Sequence, residues 1–226
     1  MKARTNKSLV VLKSTLSRLP LYYSILCKLR HDGEANVSAS VIAKKLNLNH
    51  VLVRKDLSSV SSEAGTPRVG FKVERLYEDI SNFLGYRNVE EAVLVGVGSL
   101  GHTLLSYSGF QNFGLSIVAG FDNDENLNGI KVNGKPILPM EKMANLVRRM
   151  KIRIAIIAVP QDQAQMVCDQ LVRAGIQAIW NFAPVSLDVT PDILVKNENL
   201  AASLALLSHK LSQKMKKTEQ QQNWTL

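Results

Sequence analysis

Cysteine is scarce. The 226 residues hold two, Cys27 and Cys168, far apart on apolar stretches. Two cannot build a disulfide framework or a zinc site, so no metal is expected. Long hydrophobic runs are also missing. The longest, such as residues 154–160, fall far short of the ~20 residues a bilayer span needs. The basic start Met1–Lys7 leads to Lys13 and Arg18 with no hydrophobic region and no small-residue cleavage site. These absences argue against a membrane partner and point to a reducing cytoplasm. Acidic side chains are in deficit, with 19 Asp and Glu against 28 Lys and Arg, a net charge of +9. At 46% hydrophobic and 21% charged, the chain is not disordered in the main.

The acidic deficit is uneven. Residues 1–85 carry 14 basic and 7 acidic side chains, a net of +7, which leaves +2 for residues 86–226. A basic module joined to a near-neutral one implies a polyanionic partner for the first. Its pattern is helical: Leu21, Tyr22, Ile25, Leu26 and Leu29 recur at helical spacing behind Pro20 and stop at His31-Asp32-Gly33. Val37-Ser38 opens a second helix, capped by Ser38 or Ser40, with Val41, Ile42 and Leu46 as its apolar stripe. After Asn47-Leu48-Asn49, a third helix runs to about Ser59 with Val53, Leu57 and Val60 inward. Helix, tight turn, helix is the spacing of a helix-turn-helix.

The outward face of that third helix carries His50, Val51, Arg54, Lys55 and Ser58. Arginine pairs with a guanine edge, valine meets a thymine methyl, and lysine or serine suits phosphate or base. Gly65–Phe71 reads as a two-stranded wing with Arg68 at a basic tip, and Ser38 and Lys44 join the expected DNA contacts. Residues 73–84 form a closing helix, and Gly85-Tyr86-Arg87-Asn88 a linker.

The second module opens on a buried strand, Ala92-Val93-Leu94-Val95, followed by Gly96-Val97-Gly98-Ser99-Leu100-Gly101 and a helix, His102–Tyr107. Strand, G-x-G-x-x-G and helix together form the dinucleotide-binding fingerprint. Gly96 makes the turn, Gly98 admits a pyrophosphate, Gly101 lets the helix approach the sheet, and free amides at the helix start meet the negative charge. A second strand, Leu115–Phe121, ends in Asp122-Asn123-Asp124. Asp122 lies 21 residues beyond Gly101, where an acid accepts from an adenosine ribose and favours NAD(H) over its phosphorylated form. Helix (140–150), strand (152–159), helix (162–174), strand (176–182) and a short last strand (193–195) follow. This alternation predicts an α/β fold with a doubly wound parallel sheet. Val159-Pro160 and Asn181-Phe182 fall at strand carboxyl ends, where ligands lie in such sheets. Leu200, Leu204, Leu207, Leu211 and Met215 share one face of a terminal helix (199–217), ahead of a solvated tail (218–226).

No catalytic set emerges. His31 is in a loop, His50 on the third helix, His102 after the glycines and His209 on the terminal helix, none beside an orienting carboxylate in sequence. A nicotinamide-dependent oxidoreductase with a helical appendage is the competing reading.

The two modules in this order resemble the Rex family of redox-sensing transcriptional repressors over about Thr15 to Leu211. The marks are Arg18-Leu19-Pro20-Leu21-Tyr22-Tyr23, Val53–Ser58, Gly65–Phe71, the glycine loop, Tyr107 with Gly109-Phe110, Phe121–Asp124, Val159-Pro160 and Asn181–Pro184. The resemblance implies a winged helix-turn-helix domain (1–85), a Rossmann-like NAD(H)-binding domain (86–198) and a carboxyl-terminal helix swapped between the subunits of a homodimer. It implies a pseudo-palindromic DNA operator that NADH releases, with Tyr107 sensing the nicotinamide. Four departures stand out: Ser24 replaces a common arginine, Asn199 a common aspartate, and Ser59-Val60 an aromatic pair, while the wing carries Pro67 and about one extra residue. Ser24 and Asn199 cannot form the family's charge pair, which leaves a Rex-like paralogue with a weakened redox response as a further alternative.

Overall fold

The structure, a computed structural model, describes residues 13–223, leaving aside the side chains of residues 13, 200 and 216–223. The basic start Met1–Lys7 and the last three residues of the expected tail lie outside it. The chain divides into two compact units between Asn88 and Val89.

In the first unit, α1 (Lys13–Leu16) leads to α2 (Leu19–His31), which has a proline in its first turn where no amide is needed. Strand β1 (Asn36–Val37) and helices α3 (Ala39–Leu46) and α4 (His50–Val60) follow. Ser38 caps α3 by accepting from the Val41 amide, and Asn49 caps α4 through the Val51 amide at 2.8 Å. Asn47 closes α3 in a left-handed conformation, which asparagine tolerates. Strand β2 (Phe71–Lys72) and helix α5 (Val73–Phe83) complete the unit. Leu19, Tyr22, Leu26, Ile42, Val53, Leu57, Leu76 and Ile80 form its buried core.

Two expectations change here. Val37 belongs to β1 and not to the second helix, because β2 pairs antiparallel with β1, Val37 opposite Phe71. The wing is therefore a narrow loop in which only Thr66 and Gly70 bridge, around Pro67-Arg68-Val69. A side chain at Gly70 would strike the Val37 carbonyl, so glycine is required where the loop returns to β1. The first unit also extends past Gly85. The Tyr86 ring meets Tyr23 edge-on at 4.9 Å, and Arg87 pairs with Glu78 at 3.4 Å, so most of the expected linker packs on the helices before it.

The second unit contains β3 (Glu90–Val95), α6 (Ser99–Ser106), a 3-10 turn at Ser108–Phe113, and β4 (Leu115–Asp122). Then come β5 (Lys131–Val132), β6 (Lys135–Pro139), α7 (Met143–Met150), β7 (Ile154–Ile157), α8 (Gln161–Ala174), β8 (Ala178–Asn181), β9 (Leu194–Asn197) and α9 (Leu200–Asn223). The sheet order is β5-β6-β4-β3-β7-β8-β9, parallel except for the β5–β6 hairpin. Strand order reverses between β3 and β7, the position where doubly wound sheets bind ligands. Alternation along the strands fills two cores. Val93, Val95, Ala155 and Ile157 face α7 and α8, while Leu94 and Ile156 pack with Leu105 of α6.

Helix α6 starts at Ser99, three residues earlier than its sequence pattern marks, because the glycine loop winds directly into it. The β5–β6 hairpin has no sequence-level counterpart above; its strands are two and five residues long, too short to show alternation. The terminal helix continues to Asn223, beyond the expected end at 217. Its lysines, glutamines and single glutamate are good helix formers, uninterrupted by glycine or proline. Leu204, Leu207, Leu211 and Met215 are all more than half exposed, as is Leu206, which the sequence-derived face omits. Leu200's side chain is outside the described ones. No helix among the described residues is long and apolar enough to cross a membrane.

Candidate functional site

On α4, one turn after another presents His50, Val51, Arg54, Lys55 and Ser58 to solvent, while Val53 and Leu57 on the opposite side are fully buried. Lys44 is exposed at the end of α3. Ser38 is half-buried as a helix cap, with its hydroxyl hydrogen still free to be donated. Arg68 sits at the wing tip with φ +65°, exposed. No described ion pair involves Arg54, Lys55 or Arg68, so three cations face water without a carboxylate among the described residues.

One residue beneath this face was not singled out from the sequence. Asp56 is only 4% exposed, and four donors converge on its carboxylate. Arg18 donates from Nε at 2.7 Å and from Nη2 at 3.0 Å, Tyr22 from its hydroxyl at 2.7 Å, and Thr15 from Oγ1 at 2.8 Å. Burial pushes the Asp56 carboxyl up, but Arg18, Tyr22 and Thr15 outweigh it and hold the group below the usual carboxylate range. Burial, then the neighbouring carboxylate, pushes the Tyr22 hydroxyl up to about 12, so it stays a proton donor. The knot ties α1 and the first turn of α2 to the underside of α4. It gives the Arg18–Tyr22 and Lys55-Asp56 segments a physical connection that their separation of 38 residues hides.

In the second unit, a cleft of about 810 Å³ opens at the carboxyl ends of β3, β4 and β7. Of the residues expected to hold a dinucleotide, Gly96, Gly98, Asp122, Val159 and Pro160 line it. The three glycines differ as their roles require. Gly96 has φ +90°, and a side chain there would press on the Ala158 carbonyl at 2.6 Å. A side chain at Gly101 would occupy the Gly96 carbonyl, whereas one at Gly98 would meet nothing within 4 Å. Two glycines are closed against backbone and the middle one faces open space, which is the cradle a pyrophosphate needs. The amino end of α6 has no side-chain cap, leaving its first amides to an anion. Val97 is buried and Gly101 packs inward, so these two shape the loop, while Ser99 and Leu100 are exposed on the first turn of α6.

Asp122 is bound more tightly than its spacing alone implies. Its Oδ2 accepts from the Val97 amide at 2.6 Å and its Oδ1 from the Asp124 amide at 2.9 Å. It ties the glycine loop to the end of β4 and still offers lone pairs toward the cleft. Asp124 is placed differently from the expectation. It is absent from the cleft wall, and its carboxylate caps a short turn through the Asn126 amide at 2.9 Å. Asn123, from the segment that ends β4, also lines the cleft, as do Gln163 and Met166, which the sequence did not mark because a helix face carries no fingerprint.

Asn181 also departs from its expected ligand role. The side chain is fully buried; Nδ2 donates to the Val185 carbonyl at 2.8 Å and to Asn197 Oδ1 at 2.8 Å, while Oδ1 accepts from the Ala183 amide at 3.0 Å. It holds the Ala183–Val185 turn, with both Nδ2 hydrogens bonded inside the protein and one acceptor position of Oδ1 filled. Phe182 and Tyr107 lie outside the cleft wall at the ends of a file of rings. Tyr107, 53% exposed, meets Phe110 at 4.9 Å, Phe110 meets Trp180 at 5.7 Å, and Trp180 meets Phe182 at 4.7 Å. Just before Tyr107, the last carbonyls of α6 are capped by the hairpin. Lys135 Nζ donates to the Leu105 carbonyl at 2.6 Å and Asn133 Nδ2 to that of Ser106 at 3.0 Å. Ser24 is exposed on α2. Asn199 is exposed and caps α9, accepting from the Ala202 amide at 2.7 Å.

A family model described as "CoA binding domain" matches residues 88–185, and one described as "Putative DNA-binding protein N-terminus" matches residues 11–58. The redox-sensing transcriptional repressor Rex of Bacteroides thetaiotaomicron is 41% identical over 198 residues, covering 88% of this chain and 90% of that protein. Among solved structures, RSP in complex with β-NAD+ and operator DNA superposes with a TM-score of 0.82 at 30% identity, over 94% of this chain and 97% of that one. RSP in complex with β-NADH gives 0.80 at 30% identity, over 93% and 98%.

Proposed function

Because the chain belongs to the Rex family of redox-sensing transcriptional repressors, we propose that it binds an operator through its first unit and reads NADH against NAD+ in its second. It is a regulator and not an enzyme: its full-length relatives are repressors. The observation that carries this reading is the combination, in one chain, of a cationic face on α4 with no ion pair among the described residues and a glycine cradle open only at Gly98. In the second unit the first amides of α6 hold the pyrophosphate, and Asp122 accepts from the adenosine ribose and repels a phosphate there. Val159 and Pro160 line the same cleft. Tyr107 senses the nicotinamide.

The test is binding to a labelled duplex selected by the protein from a random pool, titrated with NADH and with NAD+. NADH is expected to release the duplex and NAD+ to oppose that release. DNA binding indifferent to either nucleotide would refute the reading, and turnover of NADH with an alcohol or hydroxy acid would favour an oxidoreductase.

Two further results are expected. Arg54→Ala weakens duplex binding by about 1–3 kcal/mol and relaxes the preference at one base pair, as loss of a guanine contact requires. Lys55→Ala weakens all sequences alike and lowers the salt dependence by about one unit, as loss of a phosphate contact requires. Competition binding with single-base variants at several salt concentrations separates the two. Second, the exposed Leu204, Leu207, Leu211 and Met215 make α9 the dimer element. Deleting residues 199–226 is expected to yield monomers or aggregates by light scattering; a well-behaved dimer would refute the assignment.

A further inference from the structure

The cleft does not stop at the glycine loop. Its wall continues down one face of α8 through Gln163, Met166, Val167, Gln170 and Arg173, which recur at helical spacing. From Gln163 to Arg173 is about 15 Å at the rise of an α-helix. Helix α7 faces this stretch with Met143, Ala144 and Arg148. A dinucleotide with its pyrophosphate at Gly98 and a ribose on Asp122 carries its adenine directly on that ribose, so it ends near the start of α8. The groove between α7 and α8 runs on beyond it.

This groove has an apolar middle and a cationic end. Met143 and Val167 are buried along it, Ala144 is half-buried, and Met166 is 51% exposed. Methionine is flexible and polarizable, and it adapts to irregular apolar guests. Arg148 and Arg173 stand at the far end. Arg148 Nη2 donates to the Arg173 carbonyl at 3.4 Å, which brings the ends of the two helices together. That bond uses one of five guanidinium hydrogens. Neither arginine forms an ion pair among the described residues. Asp169, one turn before Arg173, is engaged by Gln165 at 2.8 Å and is absent from the wall. The acids that do line the cleft, Asp122 and Glu141, lie at the opposite end, where β4 and β6 finish side by side.

We propose that the groove between α7 and α8 is a second ligand site, for a carboxylate at the end of a flexible acyl chain. The chain lies along Met143, Ala144, Met166 and Val167, and the carboxylate pairs with Arg148 and Arg173. A planar guanidinium matches the two oxygens of a carboxylate, and here one comes from each helix. Gln170, half-buried one turn before Arg173, offers its amide to the same group. A bare anion would leave the apolar middle wet, and an uncharged chain would gain nothing from the cations. The site goes beyond the dinucleotide reading and does not depend on it: nucleotide and carboxylate lie end to end in one cleft.

The probe is decanoate, kept below the concentration at which it aggregates and titrated calorimetrically into the full chain with and without saturating NADH. Decanoate is expected to bind in both cases, with affinities that agree within about five-fold, below ordinary allosteric coupling. Arg148→Ala and Arg173→Ala each weaken decanoate by about ten-fold or more, as loss of a charge-assisted hydrogen bond requires, and leave NADH affinity as it was. Both arginines are exposed, so neither change disturbs the core. Met166→Glu sets a like charge beside the chain at an exposed position and also weakens decanoate. Decanol and acetate, each carrying half of the ligand, bind at least about ten-fold more weakly than decanoate.

Displacement of decanoate by NADH overturns the proposal, by making the groove part of the dinucleotide's own site. Decanoate binding that survives both arginine substitutions also overturns it, as adsorption to apolar surface such as the exposed leucines of α9. Inorganic phosphate or acetate bound as tightly as decanoate overturns the acyl chain. Arginine-dependent decanoate binding by a protein that ignores NADH upholds the groove and overturns the reading of the glycine loop.

Discussion

Asp56→Ala is expected to destabilise the first unit by about 3–5 kcal/mol, the cost of removing one partner of a buried charged pair. The Tyr22 hydroxyl would be left buried without its acceptor, and Arg18, mostly covered, would lose both of its bonds to the carboxylate. In a unit of this size such a loss lowers the first melting transition by more than about 10 °C. The second unit's transition and its NADH affinity should not change. Duplex binding should fail with the first unit, since α4 loses the bonds that hold its underside.

The same residue predicts a pH dependence. Its folded-state pKa is depressed by Arg18, Tyr22 and Thr15 against the opposing effect of burial. Its stabilisation is therefore fully present above the unfolded value of about 3.9 and is lost as pH falls through the lower folded value. Calorimetric scans of parent and variant should differ most above pH 5, and the gap should narrow as pH falls below the unfolded value. A constant gap across that range would show that Asp56 acts by shape alone.

Gly98→Val is expected to weaken NADH binding by more than about 100-fold while leaving the melting temperature nearly unchanged. The two halves of this result come from one observation: a Cβ at Gly98 has nothing within 4 Å beyond its chain neighbours, so the fold leaves open space there for a side chain that would fill the ligand's place. Gly101→Val is the contrasting case. Its side chain would occupy the Gly96 carbonyl, so binding and stability fall together. Calorimetric titration paired with thermal melting distinguishes the two, and Gly98→Val with unaltered NADH affinity would remove the glycine loop from the site.

Much of this was legible because the signals are local. The glycine spacing, the acid at the end of β4, the polar face of α4 and the leucine face of α9 each lie within one element or one βα turn, where period and spacing translate directly into geometry. Asp56 was not legible as anything beyond a charged residue on a helix, since its partners come from 34 to 41 positions away. Asn181 read as a ligand contact because it ends a strand at the ligand edge of the sheet. Its amide is instead consumed by the turn that follows, something only the folded loop can specify.

Sequence alone thus determined what depends on backbone period and short-range spacing: two units, a helix-turn-helix, a dinucleotide loop, and an apolar terminal helix. Tertiary structure decided what depends on which distant groups meet. It paired β2 with β1, placed four donors on Asp56, turned Asn181 inward, and brought Trp180 from β8 between Phe110 and Glu198. The physical reason is that a buried polar group must be satisfied by whichever neighbours the packing supplies. Those neighbours are set by the close packing of whole elements and not by any residue's position along the chain.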